Sequence, residues 1–338
     1  MTRAPTIAIL YNTTIYVAKF RLNLIDYLRS FGCRVVVISP PDEALPKVLD
    51  HADAHIPIAM SQYGMNPLQE FRGMREISAA FDNAGADICL NYTIKPNIFG
   101  TLAAGRLGLP VINNVAGAGR AFSSGSPMFR RFIKMLYRVA FRKSSAVFFQ
   151  NSDDHRLFLD AHVLPEAKAR RLPGSGVDLT RFRPSPLPDG PVNFLFIGRL
   201  LTEKGVVEFL DAAQQVLRSG AEARFALVGE LEDQPGYVAA DVLDAALKDD
   251  RITYHGTVDP SVIPGLVASA TSVVLPSYYG EGVPRSLLEA SALGRPIITT
   301  DNVGCRDAIE PEVTGYIVPP RDSAALAEAM MRFLALGD

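Results

Sequence analysis

The 338-residue sequence predicts an α/β protein of two doubly wound domains. Short, almost wholly apolar runs alternate with amphipathic stretches, the pattern of parallel strands covered on both faces by crossover helices. The alternation halts at a proline-rich segment, residues 185–191, and then starts again. The length suits two domains of ordinary size. Hydrophobic residues make up 48% and charged residues 21%, the balance of a soluble globular protein. No apolar run reaches about 18 residues, so no spanning helix is expected. The first residues lead straight into a strand pattern and do not read as a signal peptide.

In chain order, the apolar run at 7–11 reads as the first strand and residues 19–31 as the first helix. Runs at 35–38, 88–90, 111–112 and 146–149 continue the strand series of a first domain, residues 1–184. The second domain, residues 191–338, opens with a strand at 193–197 and a helix at 205–218. Runs at 225–228, 252–254, 273–275 and 297–299 follow, and a last helix at 323–336. Two such Rossmann-like domains can enclose a cleft facing their strand C-termini, where open α/β sheets bind ligands.

The most informative segment is 280–290, Gly-Glu-Gly-Val-Pro-Arg-Ser-Leu-Leu-Glu-Ala. A strand-like run leads into it, Pro284 suits a first helical turn, residues 286–293 read as helix and Gly294 as its stop. A helix N-terminus attracts anions, yet Glu281 sits at this one and Glu289 lies eight residues further on. A carboxylate there makes sense if it holds hydroxyls beside a phosphate, as on a sugar nucleotide; two solvated carboxylates on an ordinary turn are the plain alternative. The segment resembles the E-x7-E motif of retaining GT-B glycosyltransferases of family 4, and the resemblance extends over most of the chain. It implies a GT-B fold, with Glu281 on the donor sugar beside Gly282, Val283, Pro284 and Ser286, and Glu289 on the ribose.

Residues 198–205, Gly-Arg-Leu-Leu-Thr-Glu-Lys-Gly, follow the first strand of the second domain. They resemble the family's G-R-x4-K-G element, which implies that Gly198, Arg199 and Lys204 bind the donor diphosphate. Independently of the family, Arg199 ends a buried strand and Lys204 opens a helix. Two fixed cations there can stabilise a departing diphosphate in place of a metal. His255 lies where the family holds the base through backbone groups, and reads equally as a strand-end residue. Residues 174–178 with Phe182 resemble a family hinge element, with Ser175 in place of its usual Asn.

In the first domain, residues 92–100 resemble a motif of bacterial family members that extend polyprenyl-diphosphate-linked glycans. Tyr92 stands where many of those carry histidine, a departure that puts a histidine-based catalytic role in doubt. Lys95 and Asn97 are acceptor-side candidates. So are Gly119 and Arg120, in a loop whose glycines let backbone approach a ligand, and Arg21 at the start of the first helix, which reads equally as a plain helix start.

Net charge is −2, but residues 88–152 carry nine Lys and Arg and no Asp or Glu, leaving −11 elsewhere. Within this stretch Phe129, Phe132, Ile133, Leu136 and Ala140 recur at helical spacing beside Arg130, Lys134, Arg138 and Arg142. Such a helix, residues 128–143, either lies on an anionic membrane surface or packs on the core with its basic ridge solvated. Three scattered cysteines and five histidines offer neither a disulfide framework nor metal-ligand spacing, so no cofactor or metal is expected. No nucleic-acid recognition motif accompanies the basic stretch.

The resemblance implies a retaining, metal-independent hexosyltransferase. It would move a hexose or N-acetylhexosamine from a UDP-sugar to a lipid-linked saccharide, as a cytoplasmic enzyme peripheral at the inner membrane face. A sugar-nucleotide epimerase of the same fold would need further cleft carboxylates that the sequence does not place. A non-catalytic nucleotide-sugar-binding protein would bind UDP without turnover. Family members commonly continue with a helix returning to the first domain, which this sequence does not include.

Overall fold

The computed structural model describes residues 3–61, 67–117 and 126–336. The chain divides into two compact units, Met1–Ser175 and Gly176–Asp338.

The first unit contains a seven-stranded parallel sheet: β1 (Thr6–Leu10), β2 (Arg34–Ser39), β3 (Ala54–Pro57), β4 (Ile88–Tyr92), β5 (Val111–Val115), β6 (Ala146–Phe149) and β7 (Ala169–Arg171), ordered β3-β2-β1-β4-β5-β6-β7. Ala8, Ile9, Leu10, Val36, Val37 and Ile38 are fully buried, as central strands covered on both faces must be. Its helices are α1 (Thr14–Phe20), α2 (Leu22–Ser30), α3 (Leu45–Leu49), α4 (Pro67–Ala84), α5 (Thr101–Arg106), α6 (Pro127–Phe141) and α7 (Ser152–Asp160). Leu10 pairs with Asn91, so the following residues Tyr11 and Tyr92 stand side by side, their rings stacked at 4.9 Å.

The second unit contains a six-stranded parallel sheet: β8 (Val192–Ile197), β9 (Ala223–Val228), β10 (Ile252–Tyr254), β11 (Ser272–Leu275), β12 (Ile297–Thr300) and β13 (Gly315–Val318), ordered β10-β9-β8-β11-β12-β13. Helices α8 (Val206–Arg218), α9 (Ala240–Ala246), α10 (Ile263–Ala268), α11 (Arg285–Ala292) and α12 (Ser323–Leu334) connect and cover it. Phe194, Phe196, Phe209 and Phe225 meet ring to ring at its centre, each contributing about 1.5–3 kcal/mol by burial. The strand order reverses between β8 and β11, the switch point at whose carboxyl ends open α/β sheets bind ligands.

The doubly wound α/β architecture is as expected, with local differences. The helix expected at 19–31 is two helices broken at Arg21, which leaves helical geometry (φ −129°) to lay its guanidinium 4.1 Å from the Tyr92 ring centre. Pro284 caps α11 from outside rather than forming its first turn. Part of the proline-rich segment is tied to the second unit, since Arg295 donates to the carbonyls of Ser185 and Pro186. The face that α6 buries is rotated from the expected one. Ile133, Tyr137, Ala140 and Phe141 point inward, while Phe129 and Phe132 are exposed, because the core partner Phe158 of α7 lies against Tyr137 and Phe141.

Candidate functional site

The loop after β8 becomes a 3-10 turn, Thr202–Lys204, and ends at Gly205, whose φ of +79° starts α8. A Cβ at Gly205 would stand 2.2 Å from the Pro276 carbonyl oxygen, so only glycine lets this loop touch the end of β11. The two loops are stitched by the amide of Tyr278 donating to Glu203 O at 2.9 Å. That contact places Lys204 opposite Glu281, and the ammonium donates to Glu281 Oε1 while lying 5.5 Å from the Tyr279 ring centre. The Lys204 side chain is 11% exposed and that of Glu281 22%, so the pair is largely withdrawn from water.

A third loop supports the second from below. Asn302 Nδ2 donates to Tyr279 O at 3.0 Å, Thr300 Oγ1 donates to Ser277 O, and the Cys305 thiol lies 3.9 Å from the same carbonyl. Gly304 packs so tightly under Gly282 that a Cβ there would stand 2.1 Å from the Gly282 carbonyl oxygen. Burial pushes the Cys305 thiol up to about 11, with Glu281 adding to the shift. Gly282, Val283 and Pro284 are buried, and Ser286 is half-buried in the first turn of α11.

Glu289 is buried on α11 and ion-paired one turn back with Arg285, Nε to Oε1 2.7 Å. Burial raises the Glu289 carboxyl above the usual glutamate range, and Arg285 and Arg181 pull against it. Arg199 is exposed beyond β8, after the half-buried Gly198. The loop around it is fixed by Leu200 donating to Glu230 O and Val238 donating to Leu200 O, both at 2.8 Å. Burial, Glu230 and Glu232 hold the Tyr237 phenol above its ordinary range, while the Arg199 guanidinium lowers it. His255 is exposed; its amide donates to Leu227 O at 2.9 Å, while its side chain lines a groove with Asn193, Arg224 and Thr253 and does not join Lys204 and Glu281.

In the first unit, Arg21 is buried and donates from Nε to the Tyr11 hydroxyl at 3.2 Å. Burial pushes the Tyr92 phenol up to about 12, against the nearby Arg21 charge. Lys95 is buried and donates to Ser61 Oγ at 2.6 Å. Asn97, buried in a single π-helical turn, Pro96–Gly100, donates to Asn114 O at 2.9 Å. Gly119 and Arg120 lie outside the described residues. Among the described residues, no three His, Cys, Asp or Glu side chains are grouped to hold a metal ion.

The structure thus brings Lys204 and Glu281 together, with Gly282 to Ser286 carrying the second loop into α11. Sequence reasoning missed Tyr279, Asn302, Gly304 and Cys305. They act through packing and backbone contacts, which leave little mark in the sequence.

Residues 17–175 match the family model described as a glycosyl transferase 4-like domain, and residues 191–335 match that for glycosyl transferases group 1. The chain is 27% identical over 332 residues to a Campylobacter jejuni N,N'-diacetylbacillosaminyl-diphospho-undecaprenol alpha-1,3-N-acetylgalactosaminyltransferase, covering 93% of this chain and 85% of the relative. It is 25% identical over 263 residues to an Escherichia coli UDP-Gal:alpha-D-GlcNAc-diphosphoundecaprenol alpha-1,3-galactosyltransferase, covering 73% and 66%. Among solved structures, a glycosyltransferase from Rickettsia africae superposes with a TM-score of 0.82 at 18% identity, covering 99% of this chain and 90% of that one. Anabaena HepE in complex with UDP and glucose does so at 0.72 and 19% identity, covering 96% and 89%.

Proposed function

The chain belongs to the GT-B glycosyltransferases of family 4, and on that premise we propose that it moves a hexose or N-acetylhexosamine from a UDP-sugar to a lipid-linked saccharide, with retention and without a metal. The acceptor class rests on the two relatives that act on diphospho-undecaprenol-linked sugars, and the UDP donor on the second, which uses UDP-Gal. Such an acceptor would hold the enzyme at the inner face of the membrane.

The observation that carries the reading is the meeting of Lys204 and Glu281 across the β8 and β11 loops. A cation and a carboxylate side by side match a donor in which a diphosphate is bonded directly to a sugar bearing hydroxyls. Arg199 and Lys204 hold the diphosphate and stabilise the charge that develops as the bond from C1 to phosphate breaks. Glu281 and the backbone of Gly282 and Val283 hold the sugar, and Glu289 holds the ribose. An acceptor hydroxyl bonds to C1 on the face the phosphate leaves, and its proton passes to the departing phosphate. Arg21, Lys95 and Asn97 serve the acceptor in the first unit.

The test is a screen of UDP-sugars for UDP release that depends on a lipid-linked acceptor, with the anomeric configuration of the product read by NMR. Arg199→Ala or Lys204→Ala should lower turnover at least about tenfold. Glu289→Ala should weaken UDP itself, whereas Glu281→Ala should chiefly impair transfer. Turnover unaffected in both cation variants would refute the donor assignment. Inversion of configuration, loss of activity in EDTA, or UDP-sugar consumption without acceptor would each refute the corresponding part of the reading.

A further inference from the structure

The outward face of α6 carries a continuous apolar stripe that its packing leaves uncovered. Met128 is 80% exposed, Phe132 42%, Met135 49% and Val139 45%. At 100° per residue these four fall within an arc of about 60°, and they run along about 16 Å of helix. Ile133, Tyr137, Ala140 and Phe141, which face the core, centre on the opposite side of the same helix. One helix therefore buries one apolar face in the protein and presents a second to the outside. Isolated exposed apolar residues are ordinary, but a row of four large ones on one helix face marks an interaction surface.

The flanks say what that surface fits. Arg131 and Arg138 border the stripe on one side, and Arg142 and Lys143, both exposed, follow at its end. Arg138 is braced by donating to the carbonyls of Ala161 and His162, which leaves its charge in place. No acidic residue occurs anywhere from 88 to 152. The other flank carries the exposed Phe129 and the half-buried Leu136, and an apolar ridge with cations along one side and at its end suits a boundary where acyl chains lie beneath anionic headgroups. A partner protein face or a second copy would have to supply acidic groups around an apolar groove.

We propose that the Met128–Phe132–Met135–Val139 stripe inserts into the headgroup–acyl boundary of an anionic phospholipid bilayer, with Arg131, Arg138, Arg142 and Lys143 meeting the headgroups. This deepens the lipid-linked acceptor reading by naming the element that reaches the membrane. Its assay needs neither donor nor acceptor, so the two can fail separately.

The chain contains no tryptophan, so Phe132→Trp is a lone reporter at the centre of the stripe. With vesicles of phosphatidylglycerol and phosphatidylethanolamine its emission should shift to the blue and be quenched by brominated acyl chains. Phosphatidylcholine vesicles should give neither effect. In co-sedimentation, Phe132→Glu/Met135→Glu should lower partitioning at least about tenfold. Arg131→Glu/Arg142→Glu should lower it at least about 25-fold, each cation being worth roughly fivefold at such a surface. These positions are exposed, so circular dichroism should report an unchanged fold. Added salt should weaken the wild-type interaction. Absence of wild-type pelleting, or equal pelleting of all three proteins, would overturn the proposal. So would a wild-type dimer in light scattering that the Phe132→Glu/Met135→Glu variant dissociates, since the stripe would then be a contact between copies.

Discussion

Replacing Lys204 with Met removes the cation that Glu281 faces and leaves its carboxylate with only 22% of the side chain open to water. An exposed ion pair would be worth about 0–1 kcal/mol, whereas breaking a buried one costs about 3–5 kcal/mol because the remaining charge is stranded. The exposures of 11% and 22% lie nearer the buried case, so each of Lys204→Met and Glu281→Gln should destabilise the second unit by about 2–3 kcal/mol. The double variant strands no charge and should lose less than the sum by at least about 1.5 kcal/mol. Hydrogen exchange of peptides from the second unit under urea reads this unit alone. Transfer should behave differently, since both proposed donor contacts are gone in the double variant and turnover should stay low even where stability returns. Strict additivity of the two stability losses would refute the pair as an electrostatic unit. Recovery of turnover in the double variant would refute its role on the donor.

Three further expectations follow from burial and backbone geometry. Because burial raises the Glu289 carboxyl, UDP affinity should begin to fall at a pH above the usual glutamate range as the pH is lowered, and Glu289→Gln should flatten that limb in calorimetric titrations. The stability sign is opposite to that of an ordinary paired carboxylate. Protonated Glu289 is favoured in the folded chain, so its contribution is full below the unfolded pKa and lost as pH rises through the raised folded value. Burial holds Cys89 up to about 12 and Cys305 up to about 11, so Ellman titration of the native chain near pH 8 should find the half-exposed Cys33 alone, and three thiols after denaturation. Gly205→Ala should cost at least about 1–2 kcal/mol from its left-handed φ alone, with a further loss of UDP affinity because Pro276 must retreat; unchanged affinity would show that the loop spacing does not matter.

The architecture was legible where burial dictates composition. Strands such as β2 and β8 are covered on both faces, so they must be apolar throughout and stand out in the sequence. β3, β7 and β13 are short or partly exposed, carry mixed composition, and left no such mark. Glu281 and Lys204 were legible through glycine and proline spacing, which records backbone approach. Their pairing was not, because 77 residues separate them and only the stitching of the two loops brings them together. The break at Arg21 was hidden for a similar reason: residues 14–30 have helical character throughout, and what bends them is a guanidinium drawn to Tyr11 and Tyr92 on neighbouring strands. For α6 the periodicity was right and the phase partly so: Ile133 and Ala140 are buried as expected, whereas Phe129 and Phe132 are exposed. A helix with apolar side chains on two faces cannot reveal which one the core takes.

That same pairing resolves the difficulty of a carboxylate at an anion-attracting helix mouth. Lys204 with Glu281, and Arg285 with Glu289, make two neutral pairs, and Arg199 leaves the five side chains at a net charge of +1. A site built for a bare anion would gain affinity from removing both carboxylates. Keeping them costs attraction for phosphate, a cost that the proposed sugar and ribose contacts would offset. A paired carboxylate still has lone pairs free to accept hydroxyl hydrogens, and the ion pair fixes where those lone pairs point. If Glu281 holds the donor sugar as proposed, Lys204 beside it would meet the phosphate bonded to that sugar. On the proposed roles the two ion pairs would set selectivity rather than strength: both would penalise inorganic phosphate, the Glu289 pair would return the loss to any nucleotide through its ribose, and the Glu281 pair only to one that also carries a donor sugar.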